Sequence, residues 1–323
     1  MSWNTIESDA GIFTQLVKDL GVSGVEFAEI STLDTLQEEL AGVLYGAIFL
    51  FKYNASDHSK DSPVQGEYDF DYPNSLFFAN QTIQNACGTL AVLNTLLSLS
   101  KDHPKEIELG STLSEFVDFT SAFRDSELRG ESISNSDHIR NVHNSFSSPD
   151  PFVLDEKHQD PDRPSADVFH FTSFIEHEGV LYELDGLRPA PIIHRDLVNE
   201  TQDKLKFAQN VTTALQKRMQ LALHSSGKFS VIAIHRDTMD YLNSLKDEGA
   251  ITDYDYELRQ AEELAKRESW SKEISYRRQN LHGLVFELAK QVACSMSDEE
   301  FSAQIVRAQK ATQDRLQKFN RSE

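Results

Sequence analysis

Apolar positions along the chain fall into runs of different spacing, and each spacing predicts an element. After Ser8-Asp9, the residues Ile12, Phe13, Leu16, Val17 and Leu20 recur at helical intervals and stop at Gly21, which predicts a short capped helix. Val43–Tyr53 (VLYGAIFLFKY) is β-branched and aromatic enough for a central strand, and Ser75–Ala79 (SLFFA) predicts another. The segment CGTLAVLNTLLSLS, opening at Cys87, is apolar almost all round, the pattern of a helix buried inside a domain. Helical spacing returns from Leu113 (LSEFVDFTSAF) and in HIRNVHNSF. Two strand-like runs, Val168–His177 and Val180–Asp185, flank Glu178-Gly179 and predict a hairpin, and Phe229–His235 predicts a further strand. From about Arg236 only helical signals remain: MDYLNSLKDEG, a proline-free run from Thr252 to about Val292 that Gly283 interrupts near its end, and Asp298–Phe319. If continuous, the middle run would form a rod of roughly 60 Å.

One stretch breaks this rhythm. Ser147–Ser165 holds Pro149, Pro151, Pro161 and Pro164 together with Asp150, Asp155, Glu156, Asp160 and Asp162, which reads as a long exposed loop. Loops of that length inside a domain are usually functional or disordered.

Composition sharpens the picture mainly through charge. The 323 residues suggest about two domains, and 52 acids against 31 bases leave a net charge of -21. That balance argues against nucleic acid or an anionic membrane as partner and favours a cationic one. Residues 1–100 carry 13 acids and 3 bases, 101–240 carry 24 and 15, and 241–323 carry 15 and 13, so the acidity belongs to the first three quarters. Cys87 and Cys294 cannot make a disulfide framework, and the opening MSWNTIESDAG lacks the layout of a signal peptide, so a reducing compartment, nucleus or cytoplasm, is expected. The longest nearly unbroken apolar stretch, Val43–Phe51, has nine residues, short of the ~20 that span a bilayer. With no zinc-type Cys/His cluster, neither a metal nor a cofactor is expected.

The candidate chemistry gathers around Cys87. In FFANQTIQNACGT a polar turn carries Gln81 and Asn85, and a cysteine then opens a helix, where unpaired N–H groups would stabilise a thiolate and lower the thiol pKa. Read alone, Cys87 is a small buried apolar residue. His170 lies between Phe169 and Phe171 on a strand, and a turn centred between His177 and Glu178 would set it directly opposite Asp185, within reach of an imidazole–carboxylate contact. Alone, these are a structural histidine and a turn aspartate before Gly186. Together, Asp185 would orient the ring while its other nitrogen faced a thiol, and Gln81 would supply an oxyanion donor beside the Cys87 N–H. Gln, Cys, His and Asp in this order suit thiol acyl transfer. Transglutaminases and arylamine acetyltransferases share the Cys–His–Asp order, so the triad alone does not name the substrate.

FFANQTIQNACGT, the FHF…LYELDGL hairpin, ESDAGIF, SNSDHIRNVHNSF, GAIFLFKY and YRRQNLHGLVFELAK resemble ubiquitin C-terminal hydrolases of the UCH type, in particular the long, proteasome-associated subfamily. The resemblance covers nearly the whole chain. It implies an α+β fold: a papain-like catalytic domain over 1–236, with a central antiparallel sheet flanked by helices and a knotted backbone, then an all-α extension over 237–323. It makes Cys87 the nucleophile, His170 the general base and acid, Asp185 its orienting partner and Gln81 the oxyanion-hole donor, and places an active-site crossover loop at 147–165. Ubiquitin and its conjugates become the expected partner, and the C-terminal helices are expected to dock on a ubiquitin receptor of the proteasome 19S regulatory particle. Related chains end in a basic run, whereas this one ends in RAQKATQDRLQKFNRSE, with Leu316 and Phe319 as apolar candidates. Cys294 reads as a packing residue of the helical arm. A competing reading is a proteasome-bound, ubiquitin-binding adaptor with suppressed catalysis.

Overall fold

The computed structural model describes residues 3–53, 64–147, 169–225, 228–279 and 281–319. In chain order it runs α1 (Ala10–Asp19), β1 (Val25–Ile30), α2 (Asp34–Glu38), β2 (Leu44–Lys52), β3 (Glu67–Tyr68), α3 (Cys87–Asp102), α4 (Gly110–Thr120), α5 (Ser126–Asn135) and α6 (Asp137–Asn144). Then come β4 (Phe169–His177), β5 (Val180–Leu184), β6 (Ile192–Val198), α7 (Lys204–Ser225), β7 (Phe229–Arg236), α8 (Thr238–Asp247), α9 (Asp253–Arg278), α10 (His282–Ser295) and α11 (Asp298–Phe319). The strands form one sheet in the order β1-β7-β2-β4-β5-β6-β3, every neighbouring pair antiparallel.

Both faces of this sheet are covered, which explains why β2 is apolar throughout instead of alternating. On one face Ile48, Phe171, Ile175 and Ile232 pack with Phe13 of α1 and Leu90, Leu93 and Leu97 of α3. On the other, Phe49, Phe51, Phe174 and Val231 pack with Phe207, Val211 and Leu215 of α7. The first helix is capped as its sequence predicts, Asp9 accepting the Ile12 N–H at 2.9 Å.

Three expectations are corrected. Among the described residues Ser75–Ala79 pairs with no strand; the backbone groups of Phe77 and Ala79 are met by side chains of α3. Ser98 accepts from the Phe77 N–H (2.9 Å), and Asn94 both accepts from the Ala79 N–H (2.9 Å) and donates to its carbonyl (3.1 Å). The hairpin register is shifted by two: His177 pairs with Val180 and Ser173 with Leu184, because Glu178 and Gly179, both at positive φ (51° and 78°), close a two-residue turn. The helical run from Thr252 breaks between α9 and α10 around Gln279–Leu281, so the long rod does not form.

The break coincides with a division of the chain. One compact unit carries the sheet and continues through α8 and α9 to Arg278, beyond the change of pattern at Arg236; residues from 279 on belong to a second unit. In that second unit Cys294 is exposed, not packed. Apart from Ser147, the expected crossover loop lies outside the described residues, as do the side chains of Leu316 and Phe319.

What fastens α9 to the first unit is a buried ionic cluster. Arg267 Nη2 lies 2.9 Å from both Glu26 and Asp237, its Nε 2.6 Å from Glu263, and Lys266 pairs with Glu26. Burial pushes the fully buried Glu26 up, but the hydrogen bond and charge of Lys266 outweigh it and bring the carboxyl down to about 2. Arg267→Ala would leave these acids facing one another, so we expect a loss of about 3–5 kcal/mol in denaturant unfolding. Because the folded pKa is depressed, Glu26 contributes its stability fully above about 4.5. That contribution is lost as pH falls from there toward 2.

Candidate active site

Cys87 stands at the first turn of α3, entered through a short 3-10 turn at Gln84–Ala86, and it is partly accessible. Burial pushes its thiol up to about 11, although the backbone N–H groups of Gly88 and Cys87 pull the other way. The helix start therefore does not by itself produce a thiolate at neutral pH, contrary to the expectation from its position. An adjacent base is required.

That base has its orienting group in place. His170 Nε2 lies 2.6 Å from Asp185 Oδ1, with both side chains almost wholly buried. The contact forms even though the hairpin register does not place the two residues opposite. A shift of two keeps both on one face of the sheet, and Asp185, just past the end of β5, reaches diagonally. The Leu187 N–H donates to the same Oδ1 at 3.0 Å, and Arg188 Nε lies 3.6 Å from Oδ2. The rings of Phe51 and Tyr53 stand edge-on to the imidazole at 5.6 and 6.2 Å between centroids, which excludes water from its flank.

Gln81 is carried by the segment that α3 holds through Asn94 and Ser98. Its N–H donates to the Gly186 carbonyl at 2.8 Å, next to Asp185. Asn80 adds hydrogen bonds from Nδ2 to the carbonyls of Gly186 (3.2 Å) and Arg188 (2.7 Å). A Cβ on Gly186 would come within 2.7 Å of Leu90 Cδ2, so a larger residue here would have to displace the end of that α3 side chain. On the other side, the position a Cβ would take at Gly88 is 3.5 Å from the ring of Phe171. The residue after Cys87 thus lies against the residue after His170. The structure joins His170 to Asp185, and the Gln81 segment to the Asp185 loop, and α3 packs against both.

Sequence reasoning missed several supports. Neither Asn80 nor Asn94 is singled out by the sequence pattern, though an otherwise apolar helix that carries Asn94 and Ser98 is a signal that polar partners lie alongside it. His143, fully buried, accepts from Thr89 Oγ1 at Nδ1 (2.7 Å) and donates from Nε2 to the Asn4 carbonyl (2.6 Å), and burial pulls its pKa down, in keeping with a neutral ring. Asn85 Nδ2 donates to the Trp3 carbonyl at 2.9 Å. The N-terminal segment thereby braces the turn before Cys87 and the helix turn after it.

Comparisons with known proteins agree with one another. A family model described as ubiquitin carboxyl-terminal hydrolase, family 1, matches residues 3–220. Ubiquitin carboxyl-terminal hydrolase 2 of Schizosaccharomyces pombe is 40% identical over 290 residues, covering 90% of each chain. Ubiquitin carboxyl-terminal hydrolase ubh-4 of Caenorhabditis elegans is 33% identical over 301 residues, 90% of this chain and 88% of that one. A crystal structure of Trichinella spiralis UCH37 bound to ubiquitin vinyl methyl ester superimposes with a TM-score of 0.61 at 30% identity, covering 83% of this chain and 99% of that one.

Proposed function

The chain belongs to family 1 of the ubiquitin carboxyl-terminal hydrolases, and from that premise we propose that Cys87, His170, Asp185 and Gln81 carry its chemistry. It is a deubiquitinating thiol hydrolase. The observation that carries the assignment is the buried 2.6 Å His170–Asp185 pair in a unit whose helix opens on the accessible Cys87. Since Asp185 holds Nε2–H, Nδ1 is the nitrogen that takes the thiol proton as sulfur attacks the carbonyl after ubiquitin's C-terminal glycine. The Gln81 side chain and the Cys87 N–H would hold the oxyanion, and His170 would return the proton to the leaving amine or alcohol. Water then completes hydrolysis of the thioester. Isopeptide, peptide and ester conjugates all fit this sequence of steps.

In the same reading, the enzyme works in nucleus and cytoplasm at the proteasome regulatory particle, docked through its C-terminal helices. What supports this is the exposed apolar side chains of the second unit, among them Leu284, Val285 and Phe286 on α10 and Phe301 and Val306 on α11. Turnover of a fluorogenic ubiquitin C-terminal substrate by the full chain tests the enzyme reading against the adaptor reading, which predicts none. Because the acidic charge lies in residues 1–240 and ubiquitin presents a basic face and tail, KM should rise several-fold, up to about tenfold, between 50 and 500 mM salt. A KM independent of salt would remove the charge from the account of binding.

A further inference from the structure

We propose that Ser75, His177 and Asp102 form a second acyl-transfer centre, independent of Cys87, that accepts small uncharged or cationic carboxylic esters. Helix α3 and strand β4 each contribute to both centres: Cys87 and His170 lie near their first residues, Asp102 and His177 at their last. At this second end Ser75 Oγ is 2.8 Å from His177 Nε2, and His177 Nδ1 is 2.8 Å from Asp102 Oδ2. A carboxylate can only accept, so Asp102 fixes the Nδ1–H tautomer and leaves Nε2 to receive the Ser75 proton. His177 is 1% exposed, whereas Ser75 is half-buried, so the base is sheltered while the hydroxyl remains reachable.

The surroundings define the substrate class. Lys101 donates to the carbonyl of Asn74, the residue before Ser75, and so brings a cation to the segment that carries the hydroxyl, where it would offset charge developing on an ester oxygen. Glu178 Oε1 lies 3.4 Å from Ser75 Oγ and 3.8 Å from His177 Nε2, and its charge disfavours anionic acyl groups. A cavity of about 350 Å³ touches this centre at Asp102 and Glu178 only, and its wall adds Glu106, Glu176 and Asp203 against Lys204 and Arg236, an acidic excess that suits a cationic group over an anionic one. In the reaction, Ser75 Oγ bonds to the ester carbonyl carbon and its proton passes to His177. The C–O bond then breaks, the alcohol leaves with that proton, and water, deprotonated by His177, releases the acid and restores Ser75.

The test uses full-length Cys87→Ala/Cys294→Ala protein, free of thiols, with p-nitrophenyl acetate. Nitrophenolate release and a single acetyl group on the Ser75 peptide by mass spectrometry are expected, both lost on adding Ser75→Ala. His177→Asn should slow the release by about 100-fold. Glu178→Gln, a change at a largely exposed side chain, should speed it, and reads the site without threatening the fold. Equal release with and without Ser75→Ala, or acetylation confined to lysines, would overturn the proposal.

Discussion

Cys87→Ala should abolish hydrolysis of ubiquitin substrates, a fall of at least about 10⁴-fold in kcat/KM, while ubiquitin still binds. The loss is this large because no second thiol in the first unit can substitute: the other cysteine, Cys294, is exposed on α10 in the second unit. The same position has a second signature. A sulfur whose pKa burial holds at about 11 is a neutral thiol near pH 7, and its thiolate fraction grows about tenfold per pH unit up to that value. Alkylation of Cys87 by iodoacetamide in the ubiquitin-free protein should therefore be slow at pH 7 and climb steadily with pH. A rate flat between pH 6 and 9 would instead show a thiolate already paired with the imidazolium. Undiminished labelling of Cys87→Ala by an electrophilic ubiquitin probe would remove Cys87 from the nucleophile's role.

Much of this site was legible before any coordinates. The helix opening at Cys87, the central strand β2 and the β4–β5 hairpin all follow from spacing and residue type, since each buries a face whose period is written in the sequence. The register of the hairpin was not, because it depends on whether Glu178 and Gly179 adopt positive φ, and that is a property of the turn, not of the alternation on either side. The faces survived the error because a shift of two preserves the side of every residue, and for that reason His170 still meets Asp185. The SLFFA segment misled for a different cause. Its residues suit a strand, but its partner is a helix offering Asn94 and Ser98, and no local pattern announces a side chain that stands in for a strand. The break after Arg278 carries no proline, and Gly283, the one interruption the sequence offered there, lies just beyond it inside α10. At its last residue α9 makes a long-range contact, Arg278 Nη2 reaching Asp19 at 2.7 Å.

Asp185 should show a graded response that the geometry dictates in detail. Asp185→Ala leaves a buried imidazole without the acceptor that fixes its tautomer, and leaves Arg188 beside an empty position; kcat should fall by about 10³–10⁴-fold with KM little changed. Asp185→Asn should be milder. Oδ1 alone serves both His170 Nε2 and the Leu187 N–H, so an amide oxygen placed there keeps the ring oriented with Nδ1 toward the sulfur. What the amide loses is the charge that stabilises the imidazolium, and its NH₂ group, in the place of Oδ2, faces the Arg188 guanidinium donor to donor. A fall of about 10–100-fold is expected. The order wild type, then Asn, then Ala, read in kcat, is the test. Asn as damaging as Ala would mean that the charge of Asp185, and not its hold on Nε2, carries its role.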